Sequence, residues 1–171
     1  MSLSIGDPVP TFTLPDARGG EAGLDGGAPA VVVFTCNHCP YALAWHDRIV
    51  DVARDVEIPV LLINPNDAER YPRDSFEAMR RRVEEDGEWP LPYLRDEDQS
   101  VAAAFGAKTT PDVFVVARDG TLAYRGAPDA DYQDPAQGAA WLRGAVDAVL
   151  AGRRPDPAET EPVGCSVKWK A

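Results

Sequence analysis

The chain has 171 residues, 44% of them hydrophobic and 26% charged, which excludes disordered and fibrous proteins and suits one domain with its own core. Its 28 acids against 17 bases leave a formal charge of −11, which repels phosphate backbones and excludes nucleic acid as a partner. No apolar run approaches the roughly 18–20 residues of a membrane span, and Met1 to Pro10 lacks a basic, then apolar, secretory leader. The expectation is a cytoplasmic protein with no membrane partner.

The predicted elements begin with a short strand or hairpin around Val9 to Leu14, a turn at Arg18-Gly19-Gly20, and a Gly-rich loop through Pro29. An apolar run starts at Ala28, and its β-branched part, Ala30 to Thr35, reads as a strand buried on both faces. Cys36-Asn37-His38-Cys39 follows. Ala42, Trp45, Ile49, Val52 and Val56 then recur with helical period, widened by Leu43 and Val50, and Pro40 fits the first turn. Ile58 to Ile63 is a second buried strand, joined to the first by a right-handed crossover and so parallel to it.

Asp74 and Glu77 have capping-box spacing ahead of a helix striped by Phe76, Met79 and Val83, which Gly87 stops. On this helix Arg80 to Arg82 reads as a solvated face. Trp89 to Leu94 reads as a packed, irregular loop, and Gln99 to Phe105 as a short helix ended by Gly106. Val113 to Ala117 and Thr121 to Arg125, joined by Asp119-Gly120, make a hairpin. Ala136 to Leu150 is the last helix, and residues 151–171 form a C-terminal tail. The order implies an α/β fold with a central mixed β-sheet flanked by helices. Residues 1–171 are expected to form a single domain: an N-terminal extension over 1–29, a core over 30–150, and the tail.

Two cysteines separated by two residues can bind metal or cycle between dithiol and disulfide. Structural zinc needs about four ligands. A Cys36, Cys39, His46, Cys165 set would require the tail to fold back, so no metal and no cofactor is expected. The redox reading fits the position of the pair between a buried strand and a helix start. There, orphan backbone N–H groups and the helix dipole stabilise a thiolate. Cys36 is expected to be the exposed nucleophile and Cys39 the resolving thiol one turn in. His38 either tunes the thiol pKa, favouring the reduced form, or faces solvent.

The strand, the C-x-x-C, the helix and a later Thr110-Pro111 ahead of a strand resemble the thioredoxin-like fold. The opening Gly6-Asp7-Pro8-Val9-Pro10, with Phe12-Thr13-Leu14-Pro15-Asp16, resembles the redoxin group. Phe34-Thr35-Cys36-Asn37-His38-Cys39-Pro40-Tyr41, with a terminal Gly164-Cys165-Ser166-Val167-Lys168-Trp169, resembles the AhpC/TSA-like thioredoxin-family proteins. The likeness spans about residues 5–169. It implies that Pro111 is cis and that the Thr110 backbone pairs with substrate. It also implies thiol–disulfide exchange with a protein or small-molecule disulfide, recycled by a thioredoxin- or glutathione-type reductant.

There are departures from these relatives. Thioredoxin carries a buried acid six residues before its first cysteine, where this chain has Ala30; Asp112 is the nearest substitute. Peroxiredoxins carry Pro-x-x-x-Thr-x-x-Cys, and Thr35 has the wrong spacing, so thiol peroxidase activity is the lesser alternative. A non-enzymatic redox-responsive interaction module is another. Cys165 either anchors the terminus beside Val167 and Trp169 or serves as a third thiol. His46 reads as a partly buried helix residue, and Tyr41 as a flank of the site.

Overall fold

The structure is a computed structural model that describes residues 3–26 and 29–171. The Gly-rich loop and the start of the apolar run at Ala28 therefore fall partly outside the described residues, as does the start of the Met1 to Pro10 segment.

β3 (Ala30–Phe34), β4 (Val60–Asn64), β5 (Tyr93–Arg95), β7 (Asp112–Val116) and β8 (Leu122–Gly126) form a five-stranded sheet in the order β5-β4-β3-β7-β8. β3 pairs parallel with β4, and β4 with β5, while β3–β7 and β7–β8 are antiparallel. All five strands are buried along their length, which is why they are so largely apolar.

Alternation divides their side chains between two layers. Val31, Val33, Leu62, Val113 and Val115 pack with Trp45, Ile49 and Val52 of α1 (Pro40–Asp55), Met79 and Val83 of α2 (Phe76–Asp86), and Leu142 and Val146 of α4 (Ala140–Leu150). Val32, Phe34, Ile63 and Phe114 pack on the other side against Val101 and Phe105 of α3 (Ser100–Phe105) and against the hairpin of β1 (Phe12–Pro15) and β2 (Glu21–Leu24). Each fully buried side chain of this size contributes about 1.5–3 kcal/mol. This is a thioredoxin-like α/β fold with an N-terminal β-hairpin.

Several expectations change. Tyr93–Arg95 is an edge strand, β5, not irregular loop. The last helix starts at Ala140, because Ala139 takes a left-handed conformation after a 3-10 turn at Pro135–Gln137. Leu43 lies on the solvent side of α1. The cap of α2 is Ser75, whose Oγ accepts the Ala78 N–H at 3.1 Å, so Asp74 is free for other contacts.

The tail does not hang loose. β9 (Cys165–Ser166) pairs antiparallel with β6 (Thr109–Thr110), matching Thr110 to Cys165. Val167 is buried in the second layer, whereas Trp169 is exposed.

Candidate active site

β3 delivers the cysteine loop to the top of the sheet, and α1 carries it away. Cys39 is the N-cap of α1 in extended conformation, and Pro40 takes the first helical position, where a missing N–H costs nothing. Cys36 therefore lies back in the loop, beneath Thr110. Its Sγ is 3.4 Å from Thr110 Oγ1, and Cys39 Sγ is 3.2 Å from the Thr110 carbonyl. The Thr110–Pro111 peptide is cis.

Cys36 is 1% exposed and Cys39 0%. Cys36 is thus buried, not exposed as expected, with Thr110, His38 and Asp74 against it.

The two sulfurs lie in one buried cluster with Ala42 and titrate as a pair. The first proton of the pair comes off below the ordinary thiol value and the second far above it, through the contact between the sulfurs first, then burial, with further repulsion from the Asp74 carboxylate; the two steps belong to the pair and not to one sulfur. The Cys39 thiol donates to the Thr110 carbonyl, and the Thr110 hydroxyl can donate to Cys36.

Asp74 is the residue that sequence reasoning placed elsewhere. It is wholly buried, in a 3-10 turn at Pro72–Asp74. Its Oδ1 accepts the Asn37 N–H at 2.8 Å and Asn64 Nδ2 at 3.0 Å, and its Oδ2 accepts Asn66 Nδ2 at 3.0 Å. His38 Nδ1 lies 2.7 Å from Oδ2 but out of line for a straight hydrogen bond, so the contact is an ion pair whenever the ring is protonated. The His38 ring stacks parallel to Tyr71, with centroids 5.7 Å apart.

Asn37 is clamped from three sides. Its Oδ1 accepts Tyr93 Oη at 2.6 Å and Arg82 Nη1 at 2.9 Å, and its Nδ2 donates to the Arg73 carbonyl at 2.7 Å. Arg82 also reaches the Cys36 carbonyl at 3.3 Å and lies over the rings of Trp89 and Tyr93. It belongs to the site and not to a solvated helix face.

Cys36, His38 and Asp74 offer ligand atoms within 4.8 Å of one another, the group among the described residues that could hold a metal ion. The Asp74 oxygens are already engaged by three amide donors and the imidazole, so a cation would have to displace them. His46 is not part of this group. It packs on Trp89, with ring centroids 4.6 Å apart, and burial beside Arg82 lowers its pKa to about 4.

Asp112 faces away from this cluster. It accepts the Lys108 N–H at 2.9 Å and pairs with Arg125 at 3.2 Å. Tyr41 packs against the cysteines and against Tyr132, 4.3 Å away between ring centroids.

The AhpC/TSA family profile matches residues 5–125. An uncharacterized conserved protein from Geobacillus kaustophilus is 37% identical, with 98% of this chain and 93% of that one covered and a TM-score of 0.88. A hypothetical protein from Sinorhizobium meliloti 1021 is 35% identical, with 100% and 97% covered and a TM-score of 0.89. A thio-disulfide isomerase from Thermus thermophilus is 28% identical, with 88% and 99% covered and a TM-score of 0.60. No curated protein matches.

The cytoplasmic expectation is overturned by two further structures. One is an exposed lipoprotein thioredoxin of Streptococcus pneumoniae, 16% identical over 77% of this chain and 98% of its own, with a TM-score of 0.61. The other is a secreted Mycobacterium tuberculosis disulfide oxidoreductase, 24% identical over 65% and 79%, with a TM-score of 0.52. Proteins of this fold are thus described as exposed or secreted, and the fold gives the cytoplasmic expectation no support. Among the described residues no helix is long and apolar enough to cross a membrane.

Proposed function

Because this chain belongs to the AhpC/TSA family, we propose that it is a thiol–disulfide oxidoreductase, working as one domain over residues 1–171, with Cys36 and Cys39 as its redox unit. The observation that carries the reading is the packing of Cys36 and Cys39 in one cluster at the mouth of α1, with both sulfurs against Thr110. Cys36, which faces the Thr110 hydroxyl, is the attacking sulfur. As a thiolate it displaces one half of a bound disulfide as a thiolate and forms a mixed disulfide. Cys39 then gives up its proton and attacks Cys36, releasing the second half as a thiol and leaving the Cys36–Cys39 disulfide. Run backwards, the same steps oxidise a dithiol.

His38 and Asp74 hold the loop and set the field at Cys36, and Thr110 supplies a hydroxyl to Cys36 and a carbonyl to Cys39. The partner is a protein or small disulfide, with a thioredoxin- or glutathione-type thiol restoring the dithiol.

The test is turnover of insulin disulfides with a thiol reductant. Wild type is expected to exceed both Cys36→Ser and Cys39→Ser clearly. Equal rates in all three proteins would end the reading.

A further inference from the structure

The pair is sealed from solvent, yet a third sulfur touches it. Cys165 packs against Cys36 and Cys39, and its backbone is paired with Thr110, whose hydroxyl and carbonyl meet the two sulfurs. Cys165 is partly exposed, whereas Cys36 and Cys39 are not. Of the three sulfurs, only Cys165 faces both the pair and the outside.

The tail is tied down at this place by contacts on either side of Cys165. The Thr110–Cys165 pairing continues in a bond from Val167 N–H to the Lys108 carbonyl at 3.0 Å. The Lys168 N–H donates to Asn66 Oδ1 at 2.9 Å, and the Lys168 carbonyl accepts from the Asp67 N–H at 2.8 Å and from Gln99 Nε2 at 2.9 Å. Gly164 lies flat on the Thr110 carbonyl; a Cβ there would stand 2.3 Å from its oxygen. Anchoring a terminus does not require a thiol at the one position that meets Cys39.

We propose that Cys165 is a third redox thiol of this site, carrying the oxidation of the buried pair outward as a Cys39–Cys165 disulfide. The proposal rests on the exchange reading above and adds a second sulfur at which a partner engages the site.

The internal step is an exchange. The Cys165 thiol loses its proton and attacks the Cys39 sulfur of the Cys36–Cys39 disulfide. The Cys36–Cys39 bond breaks, the Cys39–Cys165 bond forms, and Cys36 leaves as a thiolate that takes up a proton; no electrons are gained or lost. A thiolate of a partner dithiol then attacks the partly exposed Cys165 sulfur, and Cys39 departs as a thiolate. The partner's second thiol attacks its own mixed-disulfide sulfur and frees Cys165. The partner is oxidised by two electrons and this chain is reduced by two. The reverse sequence reduces a partner disulfide.

The direction of attack follows from access. Cys165 is the partly exposed sulfur of the Cys39–Cys165 bridge and Cys39 is buried, so a nucleophile from outside is directed to Cys165.

The test uses the full chain. Cys36→Ser is oxidised with diamide at low protein concentration, and its peptides are mapped by mass spectrometry without reduction. The expected product is a monomer whose Cys39 peptide is joined to its Cys165 peptide. Dimers only, or an unbridged chain with Cys165 freely alkylated, would overturn the proposal. Oxidised wild type guards against a folding defect in the variant. It is expected to contain both the Cys36–Cys39 and the Cys39–Cys165 bridges, and Cys36–Cys39 alone would count against the proposal.

In insulin turnover, Cys165→Ala is expected to be slower than wild type by about tenfold or more, equivalent to about 1.4 kcal/mol. Wild-type rates in Cys165→Ala, with Cys36→Ser inactive, would remove the relay and leave the exchange reading standing. No turnover by wild type, together with a Cys39–Cys165 bridge in Cys36→Ser, would do the opposite.

Discussion

Asp74 and His38 meet at 2.7 Å directly beside Cys36, and the same carboxylate receives the amide of Asn37 in the cysteine loop. One buried acid thus holds the backbone of the loop, steers its imidazole and opposes ionisation of its first sulfur.

Replacing that acid tests all three roles. Asp74→Asn removes the negative charge that raises Cys36, so thiolate formation by the reduced pair shifts to lower pH, read as ultraviolet thiolate absorbance against pH. It also disrupts a buried hydrogen-bond network, at a cost of about 1–3 kcal/mol in urea denaturation. An unchanged titration would show that Asp74 serves structure alone.

His38→Ala removes the imidazole while keeping the backbone of the loop. A group that favours the thiolate stabilises the reduced form, so the variant should be the more reducing protein. A loss of about 1.4 kcal/mol corresponds to about 30 mV, measurable in glutathione redox buffers. A potential equal to that of wild type would leave His38 a structural neighbour of Asp74 and Tyr71 with no part in redox tuning.

The lowered first ionisation of the cysteine pair has a stability consequence of definite sign. A thiol ionises near 9.0 in the unfolded chain, and the folded pair gives up its first proton below that. Its contribution to the reduced protein is therefore complete above about pH 9 and is lost as pH falls below it. The stability gap between reduced wild type and Cys39→Ser should shrink with that fall. Above pH 9 the raised second ionisation works in the other direction, because the unfolded chain then ionises more readily.

His46 gives an acid-limb prediction that is cleanest in the oxidised protein, where Cys39 no longer titrates. Burial holds its folded pKa near 4 against 6.5 in the unfolded state, so protonation favours unfolding as pH falls through that interval. His46→Phe keeps a ring against Trp89 and should flatten the loss of stability between those two values. An acid limb as steep as that of wild type would place its origin in other groups.

Much of the frame was legible in the sequence, because it rests on local periodicity. Ala30–Phe34 and Val60–Asn64 are unbroken apolar runs, and the spacing of Trp45, Ile49 and Val52 fixes the buried face of α1. Two elements escaped for physical reasons. Tyr93–Arg95 follows prolines at 90 and 92 and is only three residues long, so its strand character comes from pairing with β4. Cys165–Ser166 is a strand only because the Thr110 edge is there to receive it.

The site was half visible. Cys36, His38 and Cys39 declare themselves by adjacency. Asp74, Arg82 and Tyr93 arrive through the tertiary fold, from 37 to 56 residues away from Asn37 in sequence. Asp74 carried a signal that pointed the wrong way, since its spacing to Glu77 is that of a capping box. Ser75, one residue later, supplies the cap and releases the carboxylate.

Gly164 makes the docking of the terminus sensitive to a single methyl group. With the Thr110 oxygen where a β-carbon would have to go, even alanine must lift the last residues away from the sheet edge. Main-chain proximity, not side-chain chemistry, is what closes the door over the thiols. An outside peptide competing for that doorway would have to present the same bare backbone.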